Sequence, residues 1–280
     1  MENHVPGNST IAPFLKWVGG KRQIMPLILE RIPQKYSTYC EPFLGAGAVL
    51  FELQPEKAII NDFNGELINT YRVIKTNVNT LIEDLKKHRN DPDYFYQVRS
   101  KDRSAAFEQL TDVERASRII YLNKTCYNGL YRVNNTGQYN TPFGKYKNPN
   151  IVNEAVLKAV SRYLNGCKIK ITNGDYAAVL RNIPGDSFVY LDPPYHPLSS
   201  SANFTGYIKG GWGEDQQTRL KHVCDRLTAK KIKFLLSNSA TAFIKNLYKD
   251  YTIDIITANR AVNSDSSKRG AVEEFLIRNY

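Results

Sequence analysis

The residues best placed to do chemistry are four in a row, Asp192-Pro193-Pro194-Tyr195, directly after the apolar run Ser187-Phe188-Val189-Tyr190-Leu191. A carboxylate and a backbone carbonyl held by a rigid Pro-Pro pair offer two acceptors side by side. The following tyrosine offers a flat face. This set suits an exocyclic amine on a planar base: the acceptors take the amino hydrogens while the nitrogen attacks an electrophile, and the base stacks on the ring. Without such acceptors the amine is a poor nucleophile, because its lone pair is delocalised into the ring. The alternative is a proline-rich turn ending a strand, and the position after a buried strand favours the chemical reading. His196 follows the motif and invites a general-base role. That role is unnecessary, since the amine can lose its proton to solvent after transfer.

A second constellation is Phe43-Leu44-Gly45-Ala46-Gly47 with Asp62 downstream. Glycines let a backbone approach a ligand closely, and an acid ending the next strand can bind ribose hydroxyls. The absence of a full GxGxxG disfavours NAD. A third is Phe14-Leu15-Lys16-Trp17-Val18-Gly19-Gly20-Lys21. An aromatic, two glycines and a lysine suit an adenosine and a carboxylate. The run lacks the glycine spacing and the following Ser/Thr of a phosphate-binding loop, which argues against ATP.

The elements that must carry these residues read as α/β. Residues 38–42 form a short apolar segment that enters the glycine turn. A helix-like stretch at 48–53 follows, then a buried strand at 57–62 that ends in polar residues. Strand, glycine turn, helix, strand and acid open a doubly wound sheet. From about Lys75 to Asn165 the chain is rich in Tyr, Asn, Arg and Lys, with a helix expected near 112–122. Turn signals at Asn128-Gly129 and Asn134-Asn135-Thr136-Gly137 suggest a hairpin. The α/β pattern resumes with a helix expected over 215–229 and a strand over 233–236. Residues 251–257 and 274–277 are expected to pair antiparallel across the polar loop 259–270. The expected organisation is a core of residues 1–75 and 167–280 with an inserted subdomain at 76–166.

The 280 residues carry 38 Lys+Arg against 27 Asp+Glu, a net +11, which favours a polyanionic partner. At 42% hydrophobic the chain can bury a core. No apolar run nears the roughly 20 residues of a membrane span, and the first 13 residues lack the pattern of a secretory signal. Cys40, Cys126, Cys167 and Cys224 are scattered and the four histidines do not cluster. A disulfide framework or metal site is therefore not expected, and a reducing cytoplasm is.

Together these motifs resemble the Dam-like family of DNA adenine N6-methyltransferases, whose recognition segment lies between the cofactor and catalytic motifs. The resemblance runs from about Phe14 to Tyr280. Beyond the three sets above it includes Asn61-Asp62-Phe63-Asn64, Tyr127-Asn128-Gly129-Leu130-Tyr131-Arg132, Asn140-Thr141-Pro142-Phe143-Gly144-Lys145-Tyr146, Asn203-Phe204-Thr205 and Leu236-Ser237-Asn238-Ser239. The run from Asn140 to Tyr146 is more specific than the glycine loop.

The resemblance implies a Rossmann-like core that binds S-adenosylmethionine, with an inserted helical and hairpin subdomain that reads DNA. Asp192, Pro193 and Tyr195 would be catalytic. Trp17, Lys21, Phe43, Gly45, Asp62 and Asp192 would line the cofactor site, and Asp175 would meet its adenine ring. Lys16, Tyr127, Asn128, Leu130 and Arg132 would touch DNA; bottom-up, an arginine is the group best matched to guanine O6 and N7. The expected substrate is double-stranded DNA at GATC, methylated on a flipped adenine by a monomer. A restriction endonuclease of the same system would be a partner without direct contact. The loop Lys209-Gly210-Gly211-Trp212-Gly213, a lid over the active site, is more glycine-rich than the resemblance implies. N4-methylation of cytosine uses the same amine chemistry and stays open. Methylation of an RNA base or a glutamine amide is more remote, the latter because glutamine enzymes carry Asn at the position of Asp192. A rival of another class is a non-catalytic DNA-binding protein on a vestigial cofactor fold.

Overall fold

The computed structural model describes residues 11–17, 19–198, 212–259 and 271–280. The expected loop 259–270 and the runs 203–207 and 209–211 lie wholly or almost wholly outside these. Among the described residues seven strands form one sheet: β1 (Thr38–Glu41), β2 (Lys57–Asp62), β3 (Lys168–Asn173), β4 (Ser187–Leu191), β5 (Lys233–Ser239), β6 (Thr252–Asn259) and β7 (Ala271–Arg278), in the order β3-β2-β1-β4-β5-β7-β6. The helices are α1 (Met25–Leu29), α2 (Ala48–Leu53), α3 (Gly65–Leu85), α4 (Pro92–Ser100), α5 (Asp112–Thr125), α6 (Glu154–Gly166), α7 (Tyr176–Arg181), α8 (Glu214–Ala229) and α9 (Ala242–Leu247). No helix among the described residues is long and apolar enough to cross a membrane.

The chain divides into two compact units. One gathers the described parts of Met1–Gly20, Gly45–Glu56 and Asp62–Gly174; the other gathers Lys21–Leu44, Lys57–Asn61 and the described parts of Asp175–Tyr280.

The second unit holds most of the sheet. β1 pairs parallel with β2 on one side and β4 on the other, and β4 pairs parallel with β5. All five residues of β4 are buried, as expected of a parallel strand covered on both faces. β7 then runs antiparallel between β5 and β6. The core joins Val189 and Leu191 of β4, Phe234 and Leu236 of β5, Phe275 and Ile277 of β7, and Leu220, Cys224 and Leu227 of α8. Strand order reverses between β1 and β4, which makes their carboxyl ends the switch point where ligands of doubly wound sheets bind.

The first unit is mainly helical. α3 packs against α5 and α6. Asn64 caps α3 by accepting from Leu67 N at 3.1 Å, and non-helical backbone at Asn77 interrupts it. Thr111 and Glu114 cap each other's backbone at the start of α5, a reciprocal box that fixes where this helix begins. Residues 132–140 fold back on themselves as the expected hairpin, reduced to one antiparallel bridge at Val133 and Tyr139, with Asn140 N donating to Arg132 O at 2.9 Å. The Asn134 side chain closes the turn by accepting from Thr136 N and Gln138 N. Tyr127 and Asn128 were expected on this hairpin. They lie on a 3-10 turn at its base, with left-handed backbone at Asn128 and Gly129 (φ 54° and 65°), where Tyr127 N donates to Pro142 O at 2.8 Å and Cys126 bridges antiparallel to Phe143.

Candidate active site

Asp192 emerges from β4 at the switch point. Its carboxylate pairs with Lys21 Nζ at 2.8 Å; the side chains are 22% and 6% exposed. Burial pushes the Asp192 carboxyl above the usual range, Lys21 pulls it back, and Glu274 adds to the rise. Lys21 also stands 5.0 Å over the Tyr195 ring. One ammonium thus tethers both ends of the motif.

The backbone between them is clamped by buried amides. Gln217 of α8 donates to Pro194 O at 2.9 Å. Asn238 of β5 donates to Gln217 Oε1 at 3.0 Å and accepts from His196 N at 3.0 Å. The Ser239 hydroxyl donates to His196 O. The Pro194 carbonyl is therefore occupied, whereas the Pro193 carbonyl accepts no hydrogen bond among the described residues. These are the acid and the carbonyl to which the sequence assigns the amino hydrogens.

Tyr195 Oη donates to Glu274 Oε2 of β7 at 3.0 Å. Burial, with Asp192 and Glu274 alongside, pushes the tyrosine hydroxyl well above its ordinary value, so it stays protonated. His196 stacks on Phe243 at 4.8 Å, its Nε2 is 3.5 Å from Glu214, and its Nδ1 is buried without a partner among the described residues. This packing accounts for the ring without a catalytic role. Phe43 packs on Tyr176 at 4.9 Å and edge-on against Trp212 at 5.5 Å. Asp175 caps α7 by accepting from Ala177 N, and Arg219 grips both its oxygens at 2.7 and 2.8 Å. That fork holds the Asp175 carboxyl below its usual range.

The first unit carries the remaining candidates. Asp62 accepts from Gly45 N and Asn64 N, each at 2.9 Å. The carboxyl is raised by burial against these backbone donors. Trp17 stacks on Tyr131 at 5.1 Å and 22°. Its indole lies so close to Gly45 that a Cβ there would come within 2.9 Å of Trp17 Cδ1. A carboxylate has about four acceptor sites, so Asp62 keeps capacity for a diol beside a glycine stripped of side chain. These groups fit an adenosine-bearing cofactor.

Lys16 crosses Gly129, packs its stem where a Cβ would fall, and sets its ammonium 4.8 Å over Tyr146. Asn123 ties this segment down by bonding both the N–H and the carbonyl of Lys16. Tyr127 is 52% exposed and Asn128 is exposed beside it. Arg132 is braced by Asn140, its Nε donating to Asn140 Oδ1 at 2.7 Å. Leu130 turns its carbonyl inward to Tyr139 Oη and Thr141 Oγ1. No cluster of His, Cys, Asp or Glu with metal-ligand geometry occurs among the described residues.

Sequence reasoning missed Gln217, Asn238, Glu274 and Tyr131. Asn238 lay inside the run Leu236-Ser237-Asn238-Ser239, which was noticed but given no role. Tyr131 likewise lay inside the run Tyr127-Asn128-Gly129-Leu130-Tyr131-Arg132 without a role, while Gln217 and Glu274 carried no local signal, because each acts on a residue distant in the chain.

Fold and motif define an α/β protein whose Asp192 motif stands at the switch point of a doubly wound sheet. The chain belongs to the D12 class N6 adenine-specific DNA methyltransferases, whose sequence profile matches residues 17–262. It is an adenine-specific DNA methyltransferase. A type II methyltransferase of Lactococcus lactis subsp. cremoris is 44% identical over 272 residues, 96% of both chains. A type II methyltransferase of Methanocaldococcus jannaschii is 40% identical, covering 96% of this chain and 99% of the relative. A DNA adenine methylase of Haemophilus influenzae is 34% identical, covering 94% and 92%.

Proposed function

We propose that the protein transfers a methyl group from S-adenosylmethionine to N6 of an adenine flipped out of double-stranded DNA, within the sequence GATC. The observation that carries this reading is the pair of acceptors at the motif: Asp192, paired with Lys21, and the Pro193 carbonyl, which accepts no hydrogen bond among the described residues and stands next to the clamp on Pro194. These take the two amino hydrogens and draw the nitrogen lone pair out of the ring. Tyr195 supplies the stacking face. The cofactor, when bound, supplies an electrophilic methyl on a sulfonium. Trp17, Lys21, Phe43, Gly45, Asp62, Asp175 and Asp192 are the residues assigned to hold it. Catalysis then rests on positioning and on negative charge facing an amine that becomes positive.

Lys16, Tyr127, Asn128, Leu130 and Arg132 are assigned to the DNA. The net charge of +11 supports a polyanionic substrate. The names of the type II relatives support a place in a restriction–modification system, with an endonuclease that reads the same site without touching this protein. A monomer in the cytoplasm suffices for one flipped base per visit.

The test is incubation with methyl-labelled S-adenosylmethionine and duplexes with and without GATC, followed by nucleoside analysis. Label should appear in N6-methyl-2′-deoxyadenosine, only in the GATC duplex, and Asp192→Ala should abolish it while still binding the DNA. Label in N4-methylcytosine, or a tenth of wild-type turnover in Asp192→Ala, refutes the assignment.

A further inference from the structure

Glu274 occupies an unusual position for a carboxylate. β7 runs antiparallel to β5 and places Glu274 opposite Ser239, the last residue of β5, while its other neighbour is Ile256 of β6. It is therefore an acid on an interior strand, where carboxylates are scarce unless partnered. Its Oε2 accepts the Tyr195 hydroxyl at 3.0 Å. Across the Tyr195 ring stands Lys21 Nζ, 5.0 Å from the centroid and paired to Asp192.

We infer that Glu274 is a positioning residue for methyl transfer, holding Tyr195 by its hydroxyl so that the ring presents its face to the base and adding a second negative charge to the Asp192–Lys21 pair. The inference rests on the assignment of Asp192 and Tyr195 above. A hydrogen bond at the hydroxyl, which lies on the ring's own axis, fixes where the far end of the ring stands, and the Lys21 ammonium over one face restrains its tilt. The charge has a separate effect. Asp192, Glu274 and Lys21 together carry a net −1, which favours a nitrogen that becomes positive as it is alkylated. The titratable groups facing Asp192 are Lys21, Tyr190, Tyr195 and Glu274, and of these Lys21 and Glu274 act in opposite directions on its proton.

Three variants of the intact enzyme separate bond from charge. Glu274→Ala removes both. Glu274→Gln keeps an acceptor for Tyr195 and removes the charge. Tyr195→Phe removes the bond and keeps both ring and charge. Methylation of a GATC duplex is measured as kcat and KM across pH, with Tyr195→Ala as reference. Glu274→Ala and Tyr195→Phe should each lower kcat/KM by roughly 5- to 30-fold, the worth of one such bond, and mostly in kcat. The double variant Tyr195→Phe/Glu274→Ala should be no worse than Glu274→Ala alone, since the two singles remove the same bond. Glu274→Gln should lie nearer wild type in kcat at the optimum. Its acid limb in kcat/KM should move to lower pH, because Asp192 loses the neighbour that raises it, while in Tyr195→Phe the limb stays put. Multiplicative losses in the double variant, or an unmoved limb in Glu274→Gln, overturn the inference. If Tyr195→Ala itself retains wild-type kcat/KM, the underlying assignment of Tyr195 fails instead.

Discussion

Replacing Lys21 by methionine tests the core of the site, because it keeps the volume of the stem and deletes only the ammonium. Lys21 and Asp192 meet at 2.8 Å with side chains 6% and 22% exposed. Removing one partner of a buried pair costs about 3–5 kcal/mol, mostly by leaving the other charge stranded. Asp192 answers by holding its proton more tightly. Burial already raises its carboxyl, and Lys21 is the opposing influence. A charge-assisted hydrogen bond is worth about 1.5–3 kcal/mol, and its loss removes the influence that holds the carboxyl down, so the carboxyl moves further up. The acid limb of kcat/KM should move to higher pH. Stability carries a second signature. A carboxyl whose folded value exceeds its unfolded one makes the native state bind the proton more tightly, so stability is lost as pH rises between the two values. Lys21→Met widens that window. Its deficit in unfolding free energy should therefore be greatest at pH 8 and shrink toward pH 5. The assays are methyl transfer to a GATC duplex and urea unfolding, both from pH 5 to 8.5. A deficit that is constant with pH, together with an acid limb that does not move, refutes the account of Lys21 as the charge that keeps Asp192 ionised.

Gly45→Ala should destabilise the protein by about 1–3 kcal/mol, since backbone at φ +51° must accept a Cβ within 2.9 Å of Trp17 Cδ1. Thermal melting and tryptophan emission read it, and wild-type values in both would show that the contact is slack. Arg132→Ala should compress the ratio of kcat/KM on GATC to that on single-base variants by ten-fold or more, and Asn140→Ala should reproduce part of that loss by freeing the guanidinium it braces. Lys145→Ala should weaken all sequences alike and reduce the salt slope of DNA affinity by about one phosphate. A uniform loss for Arg132→Ala would make that residue a phosphate clamp.

The strands were legible wherever both faces are buried. The runs at 57–62 and 187–191 coincide with strands β2 and β4, and helix α2 fills the stretch read after the glycine turn. The antiparallel pairing of the last two strands was also readable, from apolar segments across one polar loop. Helix α3 was not read as a continuous element. Its asparagines at 69, 77 and 79 look like turn signals, and the buried stripe of Leu67, Ile68, Tyr71 and Ile74 is stabilised by packing on α5 and α6 rather than by propensity. β3 was missed because Lys168 and Lys170 face solvent at a sheet edge and break the apolar run. Within the site, Asp192, Tyr195, Lys21 and Asp62 announce themselves by residue type beside a motif. Glu274 and Gln217 do not, since their partners stand 79 and 23 residues away and only the folded chain joins them.

The position of β7 between β5 and β6 sets an order of events during synthesis. β6 is made first, but it reaches the sheet only through β7. From Ser239, the end of β5, the ribosome must add 278 − 239 = 39 residues to complete β7. At about 5–20 residues per second that takes roughly 2–8 s. Until β7 is in place the outer edge of β5, with Phe234, Leu235 and Leu236, lacks the antiparallel partner that it has in the folded sheet. An apolar strand edge of this kind is a template for another chain. Nascent copies on one message are therefore most exposed to cross-pairing in this interval, and codons that slow translation between residues 240 and 278 would prolong it.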